Sequence, residues 1–488
     1  MPVTGSLSKP LSELIGDIAA RTIRGQLDIA ITSLEIDSRK VHDGSLFVAL
    51  RGQHLDGHSF IDNAVAAGAR AVVMERERPV PNSVTGIVVP DSARALSALA
   101  ACFYGRPSQR LTTIGITGTN GKTTTAHLIA AILNEGGIPT GILGTLGAAF
   151  ADSYWHLENT TPLAHELQCI LAAIEQAGAR AVAMEVSSHA LALQRVEDVD
   201  FQIAVLTNVT RDHLDFHGTL ERYRQSKRRL LDLASTLVLN ADDATGMQWA
   251  REAAAGKTVL TYGLHPNAQV RVTDLQVAGW HSEFTIDGQR FSIHLPGRFN
   301  VENAAAAVAA ARALGVPDAV SARALRSTQT VPGRMERMQG DGVRVVVDYA
   351  HTPDALANVL HTLRPTTKGR LFVVFGCGGD RDPGKRPEMG RIAAQGADRV
   401  FVTSDNPRTE DAQKIVSEIV AGMPAQAATV ATLDRRAAIH TAIDAAQAGD
   451  TVLIAGKGHE KYQIAGSHVD HFDDMSEARD ALRRKHSG

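Results

Sequence analysis

The residues with the clearest potential for chemistry form a glycine-rich loop, GTNGKTTT, which runs from Gly118 to Thr125 between a β-branched run and a helical pattern. Glycine allows backbone N–H groups to turn inward around a phosphate, and the N-terminus of the following helix adds about half a positive charge. Lys122 is spaced to reach the terminal phosphates of a nucleotide, and the hydroxyl of Thr123 to ligate Mg²⁺. The loop therefore predicts binding of ATP and Mg²⁺ through Gly118, Thr119, Asn120, Gly121, Lys122, Thr123 and Thr124.

This loop is shorter than the general phosphate-binding pattern, which has a glycine five residues before Gly121, where this sequence has Ile116. The alternative is a glycine-rich turn that binds nothing. The position between a strand and a helix, together with the Lys-Thr pair, favours phosphate binding.

Other polar residues follow predicted strands of the same sheet. Glu185 ends one strand, where a carboxylate suits Mg²⁺, and His213 follows another. Lys227 lies one helical turn after Tyr223 on a predicted helix. Each residue alone has a simpler interpretation: Glu185 as a solvated residue at a strand end, His213 as a packed imidazole and Lys227 as a surface lysine.

Composition excludes several classes of protein. The 488 residues have a net charge of -3, which argues against a bulk nucleic-acid binder or a basic membrane-surface protein. The segment Met1 to Gly16 does not resemble a secretory signal, and no stretch approaches the ~20 apolar residues of a membrane span. Cys102, Cys169 and Cys377 are far apart, so a disulfide framework is not expected. We expect a cytoplasmic protein without nucleic-acid or membrane partners.

Strand-like and helix-like patterns alternate along the whole chain, which predicts an α/β protein, and its length suggests about three domains. Glycine and proline mark boundaries near Gly105–Pro107 and Val331–Gly333. We expect a small α/β domain over 1–106 and a Rossmann-like α/β domain over 334–488. The central domain, 107–333, is expected to be a parallel-sheet ATPase domain with a small antiparallel ribbon near Val270–Leu295.

The pattern also predicts individual elements. The predicted strands are Ile31–Asp37, Ser45–Leu50, Ala71–Glu75, Thr112–Thr117, Arg180–Val186, Phe201–Asn208, Thr236–Asn240, Val343–Asp348, Arg370–Gly376, Val400–Ser404 and Thr451–Ala455. The predicted helices are Ser59–Gly68, Lys122–Glu135, Leu163–Ala177, Val301–Leu314, Asp354–Leu363 and Asp411–Gly422. Val343–Asp348 is expected to be the first strand of the third domain.

Further short motifs follow the loop in a fixed order. They are Asn159–Pro162, Glu185–His189, Thr207–Asp215, Tyr223–Lys227, Gly297–Asn303, Pro332–Glu336, Asp348–Pro353, Asp405–Arg408 and Gly456–Glu460. Together with the loop they resemble the Mur ligase family, in particular its diaminopimelate-adding members, and the match spans all three expected domains. No single tetrapeptide would be specific, but the ordered set is.

The resemblance implies an ATP-dependent ligase that joins meso-2,6-diaminopimelate to the D-Glu carboxylate of UDP-MurNAc-L-Ala-D-Glu in peptidoglycan precursor synthesis. A carboxylate is a poor electrophile at neutral pH, and ATP would convert it to an acyl phosphate that the amine attacks. Catalysis is then mostly positioning and charge neutralisation. The implied partners are these three substrates, with Mg²⁺ as cofactor, and a monomer is expected.

The resemblance also implies roles for single residues. Lys227 would be carbamylated to N6-carboxylysine, which replaces an ammonium that repels Mg²⁺ by a carbamate with two anionic oxygens. The implied metal ligands are Thr123, Glu185, His213 and Lys227, and the implied catalytic residues are Lys122, Lys227, Glu185, His213 and Arg334. Asn303, Arg334 and Asp348 would complete the ATP site. A hinge salt bridge is the alternative for Arg334.

Two further sets follow from the resemblance. Ser38, Thr160, Thr161, Ser187 and Arg195 would bind the UDP-MurNAc-dipeptide, although the hydroxyls could equally cap helices. Arg381, Asp405, Asn406, Pro407, Arg408, Gly456 and Glu460 would bind diaminopimelate. Arg408 would pair with the distal carboxylate, which lysine does not have, and Glu460 with the distal ammonium. A plain turn is the alternative for Asp-Asn-Pro-Arg.

Four other functions remain open from sequence. A lysine-adding Mur ligase would not need Arg408, and a folylpolyglutamate synthase would lack both the first domain and the Asp-Asn-Pro-Arg turn. A nucleotide switch or transport ATPase would have the longer loop. A UDP-sugar-binding module would leave the phosphate loop without a role.

Overall fold

The computed structural model describes residues 7–52 and 55–487 and contains three α/β units, each built on its own sheet. This confirms the predicted fold class. Residues 1–6, part of the segment considered above for a secretory signal, lie outside the described residues.

The first unit has a five-stranded sheet in the order β2-β7-β6-β5-β4, parallel except at β2, and a small β1-β3 ribbon. Its strands are β1 Lys9–Pro10, β2 Thr22–Arg24, β3 Ala30–Ile31, β4 Ser33–Glu35, β5 Ser45–Val48, β6 Ala71–Met74 and β7 Thr85–Val88. Its helices are α1 Leu11–Leu14, α2 Ile61–Ala66 and α3 Ser92–Phe103. The predicted strand Ile31–Asp37 is wrong as one element, because its residues are divided between β3 and β4.

The central unit has an eleven-stranded sheet in the order β11-β10-β9-β12-β8-β13-β14-β15-β16-β17-β18. Its strands are β8 Thr112–Thr117, β9 Thr140–Gly144, β10 Gly147–Phe150, β11 Ser153–Trp155, β12 Ala181–Glu185, β13 Phe201–Leu206, β14 Ala234–Asn240, β15 Thr258–Gly263, β16 Val270–Ala278, β17 His281–Ile286 and β18 Gln289–Ile293. Its helices are α4 Lys122–Glu135, α5 Ala164–Gln176, α6 Ser188–Ala192, α7 Leu214–His217, α8 Leu220–Leu233, α9 Ala244–Arg251, α10 Arg298–Ala313 and α11 Asp318–Ser327. The predicted antiparallel ribbon is confirmed as β16, β17 and β18.

The middle of this sheet positions the phosphate loop. β8 lies between β12 and β13, and all three strands are parallel. Their carboxyl ends therefore meet at one edge of the sheet, which is where ligands bind in open α/β sheets. The loop follows β8 at this edge, and Glu185 is the last residue of β12.

The third unit has a six-stranded sheet in the order β19-β20-β24-β21-β22-β23 and a β25-β26 ribbon. Its strands are β19 Glu336–Gly340, β20 Val343–Asp348, β21 Leu371–Phe375, β22 Arg399–Val402, β23 Thr429–Ala431, β24 Thr451–Ala455, β25 Tyr462–Ala465 and β26 His468–His471. Its helices are α12 Pro353–Leu363, α13 Lys385–Gly396, α14 Ala412–Ala421, α15 Arg435–Ala445 and α16 Asp474–Ser487. The prediction that Val343–Asp348 is the first strand of this unit is wrong, because β19 precedes it as an antiparallel edge strand.

Among residues 7–52 and 55–487, no helix combines the length and the apolar character that crossing a membrane requires.

A buried ion pair holds the third unit together behind its strand ends. Arg435, the first residue of α15, donates to both carboxylate oxygens of Asp474 at 2.8 and 2.7 Å, and both side chains are fully buried. The same guanidinium donates to the carbonyl of Ala455 at 3.0 Å, at the end of β24. Removing one partner of such a pair leaves an uncompensated buried charge.

We predict that Asp474→Ala lowers the stability of the third unit by about 3 to 5 kcal/mol. Calorimetric unfolding of the full chain would measure this as a lower Tm. Arg436→Met is the matched control, since Arg436 pairs with Glu477 between the same two helices but is largely exposed. We expect the control to cost less than about 1 kcal/mol, and equal losses in the two variants would contradict the assignment.

Candidate active site

One cavity of about 1260 Å³ opens between the central and third units and contains most of the predicted site residues. Those that line it are Thr119, Asn120, Gly121, Lys122, Thr123, Thr124, Thr160, Glu185, Ser187, Arg195, His213, Asn303, Arg334, Asp348, Arg381, Asp405, Asn406, Arg408, Gly456 and Glu460. Ser38, Gly118, Thr161, Lys227 and Pro407 do not line it. Residues far apart in sequence are thus brought to one place.

The phosphate loop has the backbone that its glycines predict. Gly118 and Gly121 have φ angles of 148° and 88°, in the region that favours glycine. A Cβ on Gly118 would collide with the hydroxyl of Thr207, and one on Gly121 with the side-chain oxygen of Asn303. The loop is therefore held closely between the end of β13 and helix α10.

Two lysines approach the same backbone oxygen of this loop. The ammonium groups of Lys122 and Lys227 donate to the carbonyl of Gly118 at 2.8 and 2.7 Å. Burial lowers the pKa of Lys227 well below its ordinary value, and the charge of Lys122 lowers it further. Tyr223 lies beside Lys227, with its ring centroid 4.3 Å from the ammonium, and its hydroxyl is 3.1 Å from that of Thr119. Lys227 thus lies directly behind the loop.

Glu185 is held in one orientation by Thr145. The backbone N–H of Thr145 donates to one carboxylate oxygen at 2.8 Å, and its hydroxyl donates to the other at 3.1 Å. A Cβ on Gly144 would collide with this carboxylate, so glycine permits the close approach. The carboxylate is thereby fixed at the cavity edge beside the phosphate loop.

His213 belongs to a small aromatic cluster next to the loop. Its ring centroid is 4.8 Å from that of His189, and its Nε2 is 3.3 Å from a carboxylate oxygen of Asp212. Burial, opposed by the charge of Asp212, lowers the pKa of His213 to about 3. The imidazole is therefore neutral at physiological pH, which is the form that ligates metals.

The hinge between the central and third units supplies Arg334, and the end of β20 supplies Asp348. The guanidinium of Arg334 donates to the hydroxyl of Thr123 at 2.9 Å and lies 4.5 Å from the ring centroid of Tyr349. The carboxylate of Asp348 accepts from the backbone N–H groups of Met335 and Ala350, each at 2.8 Å. Arg334 thus contacts the phosphate loop rather than forming a hinge salt bridge.

The residues predicted to bind the nucleotide-sugar lie in two places. Arg195 donates to the carbonyl of Thr161 at 2.9 Å, while its buried Nε has no hydrogen-bond partner among the described residues. The hydroxyl of Thr161 donates to the carbonyl of Glu185 and accepts from the N–H of Ser187, so it is used within the protein. Ser38 begins a 3₁₀ turn in the first unit. The Nε–H of Arg195 is therefore able to donate a hydrogen bond to a ligand in the cavity.

The turn after β22 forms the other end of the cavity. Arg408 has a φ of 52° and donates to the carbonyl of Gly379 at 2.9 Å. The amide of Asn406 donates to Glu460 at 2.9 Å. Arg381 is exposed at the rim. Basic and acidic groups therefore lie side by side here, as a zwitterionic ligand requires.

Sequence reasoning missed several residues that complete the site. Thr145 follows β9, a strand interrupted by two glycines and not predicted. Arg211 forms an interdomain pair with Asp382, with N–O distances of 2.9 and 3.1 Å across 171 positions of sequence. Lys385 donates to the carbonyl of His351 at 2.9 Å. A strand-end signal could have found Thr145, but no local pattern indicates the interdomain pair.

Comparisons with known proteins agree along the chain. The family described as "Mur ligase family, catalytic domain" matches residues 30–104, "Mur ligase middle domain" matches 116–311, and "Mur ligase, glutamate ligase domain" matches 333–458. The UDP-N-acetylmuramoyl-L-alanyl-D-glutamate--2,6-diaminopimelate ligase of Thermosynechococcus vestitus is 46% identical over 94% of each chain. The protein of the same name from Synechococcus elongatus is 47% identical over 94% of this chain and 96% of its own.

A solved structure of a ligase with that name has a TM-score of 0.68 and 36% identity, and the match covers 98% of this chain and 99% of the other. The likeness therefore extends over all three units, in sequence and in fold. The chain belongs to the Mur ligase family, the ATP-dependent ligases that its phosphate loop and ordered motifs predicted.

Proposed function

We propose that this chain joins meso-2,6-diaminopimelate to the D-Glu carboxylate of UDP-MurNAc-L-Ala-D-Glu, with conversion of ATP to ADP and phosphate. Relatives 42 to 47% identical carry the name of this ligase. The observation on which the proposal rests most is the single cavity lined by the phosphate loop, Glu185 and Arg408. Such a cavity brings a nucleotide, a carboxylate and an amino acid together.

The reaction needs two successive transfers, a phosphoryl transfer to a carboxylate oxygen and then an acyl transfer to the amine. A carboxylate oxygen of the substrate attacks the γ-phosphorus of ATP, the bond to ADP breaks, and an acyl phosphate forms. The amine nitrogen then attacks the acyl carbon, phosphate leaves with the bonding electrons, and the amine loses a proton. Both steps gain mainly from positioning and from neutralising negative charge.

Three features of the protein supply that neutralisation. Lys122 and the N-terminus of α4 face the phosphates, and Arg334 reaches the loop through Thr123. The close approach of Asn303 to Gly121 supports its role in nucleotide binding. Asp348 holds the backbone that follows Arg334, so we propose that it positions the hinge arginine as well as the nucleotide.

We propose Thr123, Glu185, His213 and carbamylated Lys227 as ligands of Mg²⁺. No group of three His, Cys, Asp or Glu side chains suited to a metal occurs among residues 7–52 and 55–487. Mg²⁺ usually takes one or two carboxylates and completes its shell with phosphates and water, so the fixed carboxylate of Glu185 fits. When bound, Mg²⁺ would neutralise charge on the phosphates.

Carbamylation of Lys227 is supported by its surroundings. Two ammonium groups at one carbonyl repel each other, and burial favours the neutral amine, which is the form that reacts with CO₂. A carbamate would reverse the charge opposite Lys122. Carbamylation of Lys227 would thus replace the repulsion between Lys122 and Lys227 by an attraction.

The nucleotide-sugar would extend from this centre toward the first unit. Arg195 offers an unpartnered Nε to an anionic group, and Thr160 and Ser187 line the same part of the cavity. Thr161 would orient Arg195 and Ser187 rather than reach the ligand, since its hydroxyl is already bonded. Ser38, in the first unit, would contact the uridine end.

Diaminopimelate would occupy the opposite end of the cavity. Arg408 and Arg381 would take its carboxylates, and Glu460 its distal ammonium. Asp405, Asn406, Pro407 and Gly456 would form the turn and the backbone around it. An arginine pairs with a carboxylate through two parallel hydrogen bonds. Lysine as a substrate has no distal carboxylate, so this pairing would favour diaminopimelate over lysine.

We also propose boundaries near Arg106 and Gly333, where left-handed residues with φ angles of 51° and 66° separate the three units. All of the assigned residues lie in one chain, which supports an active monomer. The cytoplasm is the proposed location, because ATP is available there and the widely spaced cysteines of the sequence do not predict a disulfide framework.

We predict that the purified protein, given ATP, Mg²⁺ and UDP-MurNAc-L-Ala-D-Glu, lengthens the peptide by diaminopimelate and releases ADP. Mass spectrometry of the product and a coupled ADP assay would measure both. L-lysine in place of diaminopimelate should react at least ~100-fold less efficiently, because the distal ion pair is lost. Release of ADP without a longer peptide, or preference for lysine, would refute the proposal.

We predict that Arg408→Ala raises KM for diaminopimelate by about 10- to 100-fold, since a charge-assisted pair is lost. Steady-state kinetics with each substrate varied in turn would show little change in KM for ATP. Arg391→Ala is the control, because Arg391 lies exposed on α13 and donates to Gln395 of the same helix. Wild-type kinetics for Arg408→Ala would remove the specificity assignment.

We predict that Lys227 takes up isotopically labelled bicarbonate and gives a carbamate carbon signal in the NMR spectrum of the wild-type protein. Lys227→Ala should lack the signal and lose most ligation activity. Lys368→Ala, at an exposed lysine of the third unit, is the control and should keep both. A signal that persists in Lys227→Ala would place the carbamate elsewhere.

A further inference from the structure

Lys457 is a fully buried lysine directly behind the proposed amino-acid site. It follows β24 by two residues, and none of the roles proposed above uses it. Its ammonium donates to the side-chain oxygen of Asn406 at 3.0 Å and to Glu460 at 3.3 Å. The ring centroid of Tyr462 lies 5.4 Å away. Removing an ammonium group from water costs free energy unless it is paired with an opposite charge or hydrogen-bonded. The partners of Lys457 must therefore offset this cost.

The charges around Lys457 do not cancel. The carboxylate of Glu460 pairs with Lys457 at 3.3 Å, and the charge of Lys457 also acts on the buried carboxylate of Asp405, whereas Arg435 is paired with Asp474. Burial would raise the pKa of Asp405, but the positive charges of Lys457 and Arg435 hold it below its ordinary value. Taken by themselves, apart from Arg381 and Arg408 at the cavity surface, Lys457, Asp405 and Glu460 carry a net charge of about minus one.

Lys457 also fixes the orientation of Asn406. An ammonium can only donate, so the carbonyl end of the amide must face Lys457, where it also accepts from the N–H of Ile464 at 3.1 Å. The NH₂ end is thereby directed to Glu460 at 2.9 Å. The other carboxylate oxygen of Glu460 accepts from the hydroxyl of Tyr349 at 3.3 Å. Glu460 is thus held from three sides.

We propose that Lys457 is a positioning residue for amino-acid selection: it balances the charge of Asp405 and orients Asn406 and Glu460, so that one carboxylate remains for a cationic group of the substrate. The inference rests on the proposed function and deepens it. The ligand class is an amino acid with a second, distal ammonium group. Without Lys457, the carboxylates of Asp405 and Glu460 would repel each other more strongly, and Glu460 would lose one of the three groups that hold it.

The test compares Lys457→Met with wild-type enzyme in steady-state ligation, with ATP, UDP-MurNAc-L-Ala-D-Glu and diaminopimelate varied in turn. We expect KM for diaminopimelate to rise at least ~10-fold, while KM for ATP and for the nucleotide-sugar stays within about twofold. Lys457→Arg keeps the charge and should recover most of the affinity. Lys414→Met, at an exposed lysine on α14, is the control.

The double variant Asp405→Asn with Lys457→Met removes one charge of each sign and keeps the net charge of the site. The double variant should therefore have a lower KM for diaminopimelate than Lys457→Met. If Lys457→Met does not fold, the double variant and Lys457→Arg are compared with the wild-type enzyme instead. Unchanged KM for diaminopimelate in folded Lys457→Met, or no recovery in either the arginine or the double variant, would overturn the inference. Failure of the wild-type enzyme to ligate diaminopimelate would instead refute the proposed function.

Discussion

The contact between the phosphate loop and the third unit is the constraint on which the site depends. Arg334 donates to Thr123 at 2.9 Å, and Asn120 donates to Asp354 of α12 at 3.0 Å, so two positions of the loop contact the hinge and the third unit. Each hydrogen bond of this kind contributes only about 1 kcal/mol. These bonds and the Arg211–Asp382 pair join the central and third units, and we expect bound substrates to add further contacts between them.

Charge is divided along the cavity in the way that its proposed ligands require. The end formed by the loop has Lys122, Arg334 and a helix N-terminus, which together suit a polyphosphate. The end beyond the hinge has arginines next to buried carboxylates, which suits a zwitterion. The two ends come from different sheets, so neither unit alone provides both halves of the reaction.

The sequence predicted those parts of the fold that local patterns determine. The bounds of β8, α4, β20 and β24 agree with the predicted Thr112–Thr117, Lys122–Glu135, Val343–Asp348 and Thr451–Ala455, because long apolar runs and a glycine loop mark them. The predicted helix Val301–Leu314 is wrong at its start, since α10 begins at Arg298 after a left-handed glycine. β9 escaped prediction because glycines interrupt it. Gly144 permits the close approach of the Glu185 carboxylate, and Gly141 that of Ile174, which are tertiary requirements that no local pattern contains.

The burial of Lys457 could not be predicted for a similar reason. Within Gly-Lys-Gly-His-Glu it has the appearance of a solvated lysine in a flexible turn. Its partner Asn406 lies 51 positions earlier, and only the parallel arrangement of the third sheet brings them together. Sequence motifs identified which segments form the site, whereas the electrostatic relations within it depend on the tertiary fold.

The missing glycine of the loop has a structural explanation. Ile116 is still within β8, fully buried and paired in register with Glu185 on one side and Val205 on the other. The chain therefore leaves the strand only at Gly118, so the loop is shorter than the general pattern. Thr119 instead donates to the carbonyl of Asn208 through its N–H at 2.8 Å, and its hydroxyl contacts Tyr223. The loop is thus held by the segment that follows β13 and by α8, the helix that contains both Tyr223 and Lys227.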